Sequence, residues 1–258
     1  MTQPKKPKTI GLYAGPGTGK STTATAVFSE LKQLGINCEY VSEYAKDATW
    51  ERRGAKVFAA QEYLFAKQHF RMSRVAEEVD IIITDSPILL SLVYMPDGFG
   101  MPSLTPTIKE AYKLYDNLDI FLERNKPYNS KGRNQSFEQA VELDSDIKGV
   151  LLEANEHALV MPYGRNAIFK TIFEAAKRWG NDIPELHDFV PNFKPVLTHK
   201  ELPPVGKIVM TDKGESWLVK SGTWYMFDHY HDTEVIVEAP RWWMSSINDE
   251  MIFGNGHE

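Results

Sequence analysis

The chain contains almost no cysteine, because Cys38 is the only one among its 258 residues. A single thiol cannot form a disulfide within the chain, and this one stands in an apolar run, so we expect a buried free thiol in a reducing compartment. Long hydrophobic runs are also missing, since the longest extends only from Ile88 to Met95 with Ser91 inside it. A membrane-spanning helix needs about 20 apolar residues. We therefore expect no membrane span and a cytoplasmic protein.

An excess of positive charge is absent as well. The net charge is -6 at pH 7, which argues against charge-driven binding of nucleic acid as the main activity. Residues 1–7 form a basic tail that lacks the apolar segment of a secretory signal. The contents of glycine, proline and charged residues are ordinary for a globular protein, so disorder, collagen and coiled coil are excluded for the whole chain.

Strand-like and helix-like segments alternate over residues 8–180. The predicted strands are residues 8–14, 37–42, 81–84, 118–123 and 157–161. The predicted helices are the segment from the glycine-rich loop to Gly35 and residues 57–79, 107–115, 137–156 and 166–179. This alternation predicts an α/β domain with a parallel sheet and helices on both faces.

The composition changes after Gly180. Residues 181–206 contain five prolines and little periodicity, which is typical of a linker. Four short β-like runs follow at Lys207–Thr211, Ser216–Lys220, Trp224–Asp228 and Glu234–Glu238. Residues 207–258 are therefore predicted to form a small antiparallel β-rich appendage.

The segment Ala14–Ser21 (AGPGTGKS), called the phosphate loop below, fits the Walker A pattern with alanine in place of the first glycine. Its glycines allow backbone N–H groups to converge on phosphate oxygens, Lys20 reaches the β and γ phosphates, and the Ser21 hydroxyl binds magnesium. Its position between a strand and a helix favours this interpretation over an ordinary glycine turn. The expected ATP-binding residues are Gly15, Pro16, Gly17, Thr18, Gly19, Lys20 and Ser21.

Asp85 follows the apolar strand Ile81–Thr84 and is the Walker B candidate. Ligands bind at the carboxyl edge of open parallel sheets, so Asp85 is placed to hold magnesium directly or through water. Alternatively, Asp85 only begins a turn before Pro87.

Glu43 ends the second predicted strand, at the same sheet edge as Lys20 and Asp85. A carboxylate there can accept a proton from an acceptor hydroxyl as its oxygen attacks the γ-phosphorus. The alternative is a glutamate that caps the following helix or lies in its first turn.

Two glutamines, Gln61 and Gln68, share the apolar stripe of the long predicted helix. A buried amide needs a partner, and its donor and acceptor suit the edge of a nucleobase or a carboxamide. A glutamine satisfied by the backbone would give the same pattern.

The segment Glu123–Arg133 brings together the cations Arg124, Lys126, Lys131 and Arg133 between a strand and a helix. Such a segment can act as a lid that closes over the transferred phosphoryl group, with Arg124 facing the substrate. A solvated basic loop is the alternative.

Together these pieces resemble the P-loop nucleoside and nucleotide kinases, and specifically the branch with the ribosylnicotinamide-kinase-like AAA domain. The similarity covers residues 8–180 and rests on AGPGTGKST, VSEYAKD, AAQEYLFAKQ, IIITDSP, a lid ending in Gly132-Arg133, and Pro162-Tyr163-Gly164-Arg165. The resemblance implies a P-loop NTPase three-layer fold. The chain departs from the family at two places. Lys46 stands where the family has an arginine, and Asp85-Ser86 stands where deoxynucleoside kinases commonly have an acidic residue followed by arginine. The resemblance therefore does not indicate which acceptor is used.

The resemblance also implies roles for individual residues. Lys20, Ser21 and Thr22 would bind the ATP phosphates and magnesium, and Glu43 or Asp85 would handle the acceptor hydroxyl. Gln61 would touch the acceptor's base, Arg133 would act from the lid, and Arg165 would lie near the adenine.

The sequence thus predicts an ATP- and magnesium-dependent kinase acting on a nucleoside, nucleotide or nicotinamide riboside-like acceptor. One alternative is a kinase of a hydroxymethylated base in DNA, with aromatic residues of the appendage as stacking faces. Those aromatics would otherwise form the appendage's own core. Another alternative is a P-loop ATPase without a small acceptor. The sequence does not indicate the oligomeric state.

Overall fold

The structure is a computed structural model that describes residues 5–95, 101–125 and 136–189 in full, and the backbone of seven strands between residues 198 and 255. Five strands form a parallel sheet in the order β2-β3-β1-β4-β5. They are β1 (Lys8–Tyr13), β2 (Cys38–Val41), β3 (Ile81–Thr84), β4 (Asp116–Glu123) and β5 (Leu159–Pro162). Every residue of β3 is buried, as expected for a strand covered on both faces.

Helices connect these strands and cover both faces of the sheet. They are α1 (Lys20–Gln33), α2 (Tyr44–Trp50), α3 (Ala55–Ala59), α4 (Gln61–Ser73), α5 (Leu90–Val93), α6 (Leu104–Lys113), α7 (Phe137–Ala154) and α8 (Arg165–Trp179). The predicted P-loop NTPase three-layer fold is confirmed. Among the described residues, no helix has the length and apolar character needed to cross a bilayer.

Alternating side chains of the strands divide the core into two layers. Tyr13, Ile82 and Phe121 point to one face and pack in a cluster with residues of α4, α6 and α7. On the other face α1 packs against α8. The helices α1 and α7 lie in opposite layers. The phosphate loop precedes α1 at the carboxyl edge of the sheet, where α7 also reaches it.

The prediction of a single long helix over residues 57–79 is wrong. The chain leaves helical geometry at Ala60 (φ -88°, ψ 74°), which separates α3 from α4, and α4 ends at Ser73. The Gln61 side-chain amide donates to the Phe58 carbonyl at 2.8 Å. This bond satisfies an acceptor at the break, which periodicity alone does not reveal.

Residues 181–189 pack as part of the first compact unit, which runs to Phe189 rather than to Gly180. A 3-10 helix (Pro184–Asp188) follows α8, and the Phe189 ring stacks on Phe169 with centroids 5.8 Å apart. The linker expected over 181–206 therefore begins with a packed segment. The assignment of separate domains stays a prediction.

The second compact unit covers Val190–Glu258. Its sheet has seven strands in the order β10-β9-β8-β7-β11-β12-β6. They are β6 (Thr198–His199), β7 (Ile208–Thr211), β8 (Gly214–Leu218), β9 (Trp224–Asp228), β10 (Thr233–Val237), β11 (Trp242–Ile247) and β12 (Glu250–Asn255). The four predicted runs correspond to β7–β10, whereas β6, β11 and β12 were not expected. The aromatic side chains proposed for DNA contact lie outside the residues whose side chains are described.

Candidate active site

The phosphate loop joins β1 to α1 at the carboxyl edge of the sheet. Thr18 is fully buried, and its hydroxyl donates to the Gly15 carbonyl at 3.2 Å, which ties the loop to itself. Gly19 has φ 122°, in the positive region that side chains other than glycine rarely adopt. A Cβ atom at Gly19 would also overlap the ring of Tyr163. Both observations explain why glycine stands here.

The Lys20 ammonium lies inside the loop. Its Nζ donates to the Ala14 carbonyl at 2.7 Å and to the Gly15 carbonyl at 3.3 Å. Burial lowers the pKa of Lys20, while Glu43, Asp85 and Asp144 oppose that effect. The three carboxylates favour the charged form of Lys20, and a charged ammonium group is the form that binds phosphate.

Asp85 lies directly after β3 and is 2% exposed. Its Oδ2 accepts a hydrogen bond from the Ser21 hydroxyl, whereas its Oδ1 is buried without a hydrogen-bond partner among the described residues. An unpaired buried carboxylate oxygen beside a hydroxyl is a set of hard oxygen donors, which magnesium prefers. Ser21 and Asp85 therefore fit a magnesium ion.

The described residues contain no cluster of three or more His, Cys, Asp or Glu side chains that could hold a metal by themselves. Magnesium commonly uses one or two carboxylates together with phosphate oxygens and water.

Glu43 follows β2 and caps the start of α2 with extended backbone geometry (φ -63°, ψ 121°), without a side-chain capping bond. Burial raises the pKa of Glu43, and the charges of Lys20 and Lys46 act against the shift. In the sheet order, β3 separates β2 from β1. Asp85 is therefore on the strand next to the phosphate loop, and Glu43 is one strand further out.

Gln68 supports the turn that carries Glu43. Its Oε1 accepts from the Tyr44 backbone N–H at 2.9 Å, and its Nε2 is buried without a hydrogen-bond partner among the described residues. Gln61 is also buried, but its Nε2 is bound to the Phe58 carbonyl as described above. Of the two glutamines, Gln68 is therefore the one that contacts the residue next to Glu43, the candidate base.

The predicted cations fall in different places. Arg124, at the end of β4, pairs through Nε with Asp144 Oδ2 at 2.8 Å. Arg165 begins α8, two residues after Tyr163, whose ring lies beside Gly19. Thr22 is exposed in the first turn of α1. Arg133 lies outside the described residues, as do Lys126 and Lys131 of the expected lid.

Three residues near the loop were missed by sequence reasoning: Asp144, Tyr163 and Tyr94. The Gly15 N–H donates to Asp144 Oδ1 at 2.5 Å. Burial, together with the charges of Glu43 and Asp144, raises the pKa of Tyr94. A signal for Asp144 exists in the sequence, because it shares a stripe of α7 with the buried Ala140, Ile147 and Leu151. An acid on an apolar stripe needs a buried partner.

A cavity of about 540 Å³ lies at the opposite edge of the sheet, where β1 and β4 begin. Three of its cations are paired, since Lys5 and Lys8 share Asp182 at 3.0 and 3.1 Å and Arg178 Nε binds Asp116 at 3.0 Å. The carboxyl ends of α6, α7 and α8 also meet this cavity, and helix ends of that kind disfavour anions. We assign it no ligand.

Comparison with known proteins adds to this picture. The sequence model of a family described as AAA domain matches residues 9–166. Among solved structures, the NadR protein in complex with NAD and AMP-PNP is similar, with a TM-score of 0.50 and 13% sequence identity. The match covers 74% of this chain and 52% of that one, so the chain spans about half the length of that relative.

A second similar structure is thymidylate kinase from Ehrlichia chaffeensis, with a TM-score of 0.43 and 14% identity. That match covers 67% of this chain and 98% of the other. The search of curated proteins found no match. At such identities the likeness to solved structures concerns the fold alone.

Proposed function

Because this chain belongs to the AAA domain family, whose model matches residues 9–166, we propose that it is an ATP- and magnesium-dependent kinase. It transfers the γ-phosphoryl group to a nucleoside, nucleotide or nicotinamide riboside-like acceptor. One observation carries the proposal: the phosphate-loop lysine, Asp85 and Glu43 lie at the carboxyl edge of three adjacent strands. A phosphate-binding cation, a magnesium ligand and a second carboxylate are the groups that phosphoryl transfer to a hydroxyl requires.

The two carboxylates have different environments, which supports different roles. Asp85 is bonded to Ser21 in the loop, so we assign it to magnesium together with the Ser21 hydroxyl. Glu43 has no side-chain capping bond, and burial raises its pKa. A carboxyl group whose pKa moves toward the working pH is a better general base. Glu43 is therefore assigned to take the proton of the acceptor hydroxyl as its oxygen attacks the γ-phosphorus and ADP leaves.

Magnesium, when bound, neutralises charge on the phosphate oxygens. The chain's own residues do the rest. The backbone N–H groups from Gly17 to Ser21 orient the phosphates, and Lys20 supplies a fixed positive charge in a poorly solvated loop. The Tyr163 ring lies beside Gly19, and Arg165 begins α8 two residues later. These positions support their placement on the nucleotide side.

The test is incubation with labelled ATP, magnesium and a panel of nucleosides, mononucleotides, nicotinamide riboside and hydroxymethylated DNA. We expect labelled product from one small acceptor and its loss in Lys20→Ala, with the exposed Lys32→Ala on the same helix as control. Label transferred only to DNA would favour the DNA-base kinase. Phosphate released to water without an acceptor product would favour an ATPase, and full transfer by a folded Lys20→Ala chain would contradict the phosphate-loop assignment.

The roles of the two carboxylates are separated by kinetics. Glu43→Gln keeps size and hydrogen bonding but removes the proton acceptor, so we expect kcat to fall about 10²- to 10⁴-fold with nearly unchanged ATP affinity. Asp85→Asn is expected to weaken magnesium-dependent nucleotide binding and turnover. The matched controls are at two exposed positions. Glu39→Gln lies on β2, the strand before Glu43, and Asp80→Asn lies just before β3, at the end opposite Asp85. Normal turnover in Glu43→Gln, with normal Mg-ATP binding but no turnover in Asp85→Asn, would reverse the assignment.

A further inference from the structure

The peptide bond between Ala14 and Gly15 is held at both ends by charged side chains. Its N–H donates to Asp144 Oδ1 at 2.5 Å, and its carbonyl accepts from Lys20 Nζ at 2.7 Å. The N–H and C=O of a trans peptide point in opposite directions, so Asp144 and Lys20 lie on opposite sides of one peptide unit. A carboxylate at the positive end of the peptide dipole and an ammonium at the negative end both stabilise this orientation.

Asp144 is itself fixed in place. Its other oxygen, Oδ2, accepts from Arg124 Nε at 2.8 Å, and the two side chains are only 16% and 9% exposed. Charge-assisted bonds of this kind are short and directional, and little water competes with them here.

Gly15 allows α7 to approach the loop this closely. A Cβ atom at Gly15 would lie 2.6 Å from both Asp144 Oδ1 and the Ala140 carbonyl oxygen. No side chain fits into that gap without moving backbone. The glycine at position 15 is thus explained by its contact with α7.

We propose that Asp144 is a positioning residue for Lys20: through the Ala14–Gly15 peptide it sets the direction of the carbonyl that holds the ammonium group inside the phosphate loop. The inference rests on the proposed function, because the role of Lys20 in binding phosphate belongs to it. Arg124 completes the chain of contacts, which runs from the end of β4 through α7 to the loop. In this assignment α7 contributes to nucleotide binding. It does so without leading into a phosphate-binding segment or a carboxylate of the predicted site.

The charge of Asp144 also acts on Lys20. The charged groups that face Lys20 are Glu43, Asp85, Asp144 and Arg124. Burial lowers the pKa of Lys20, and Asp144 is one of three carboxylates that counteract this.

The experiment compares three full-chain variants, each with Lys20 intact and with Lys20→Ala, by binding of ADP with magnesium at pH 7. Asp144→Asn retains an oxygen that can accept from the Gly15 N–H but removes the charge. Asp144→Glu retains the charge but displaces it by one methylene group. Asp146→Asn makes the same chemical change at an exposed position of the same helix.

With Lys20 present, Asp144→Asn and Asp144→Glu are each expected to bind ADP about 10-fold more weakly, because the peptide is no longer held as firmly in the same direction, and Asp146→Asn is expected to bind it normally. In the Lys20→Ala chain, Asp144→Asn is expected to change ADP binding little, because no ammonium group is left to position. A purely structural role would weaken binding equally in both chains.

Equal weakening by Asp144→Asn with and without Lys20, or no weakening in a folded chain, would overturn the inference. Failure of that variant to fold would overturn it as well, since Asp144 would then support the fold rather than Lys20. The proposed function fails by a different result, namely ADP binding by the wild-type chain without phosphoryl transfer to any acceptor.

Discussion

Truncation at two positions tests where the first compact unit ends. Ile183, Leu186 and Phe189 are 6%, 1% and 3% exposed, so a chain that stops at Gly180 loses three buried apolar side chains. Full burial of one such side chain contributes about 1.5 to 3 kcal/mol, which gives about 5 to 9 kcal/mol for the three. A domain is stable by only about 5 to 15 kcal/mol in total. We therefore expect residues 1–180 to unfold or become molten, whereas residues 1–189 fold.

The magnitude is an upper value, because the denatured chain already buries part of this surface. Loss of Phe189 would also uncover Phe169, on which it stacks. The assay is urea denaturation of both fragments followed by circular dichroism, with Phe189→Ala in the full chain as a smaller perturbation of about 3 to 5 kcal/mol. Equal unfolding midpoints of the two fragments would refute the argument and return the boundary to Gly180.

Two further predictions concern the phosphate loop and the core. Gly19→Ala is expected to weaken ADP binding at least 10-fold, because φ 122° costs a side chain about 1 to 3 kcal/mol and the new methyl group meets Tyr163. Calorimetric titration measures the affinity. If adding Tyr163→Ala to this variant fully restores binding, the ring and not the backbone is the cause. Burial raises the pKa of Asp119, so its contribution to stability is present below its ordinary pKa of about 3.9 and is lost as pH rises through the raised value. Asp119→Asn should therefore flatten the fall of the unfolding free energy as pH rises above about 4, measured by urea titration. A greater rise with pH in the wild-type chain than in Asp119→Asn would contradict the sign.

Much of the first unit could be predicted from the sequence because its signals are local. The wholly apolar Ile81–Thr84 can only be a buried strand, and the glycines around Lys20 suit only a few backbone paths. The edge rule placed Asp85 and Glu43 at the same sheet edge as Lys20, and the structure has them after neighbouring strands.

The contacts between distant segments could not be predicted in this way. Asp144 lies 129 positions after Gly15, and periodicity within α7 says nothing about which loop its polar residue meets. The break at Ala60 was missed because residues on both sides continue the apolar stripe, while the break itself is fixed by backbone geometry. The Asp144 contact is tertiary, and one segment of sequence does not contain it.

The thiol of Cys38 makes the chain convenient for site-specific labelling. Its side chain is completely buried in β2, and burial raises its pKa to about 11. At neutral pH only about one such thiol in 10⁴ is ionised, and the thiolate is the form that reacts with maleimides and iodoacetamides. A cysteine introduced at exposed Ser145, next to Asp144 on α7, would thus take up a fluorophore selectively in an otherwise native chain. The emission of that dye would report movement of α7 against the phosphate loop.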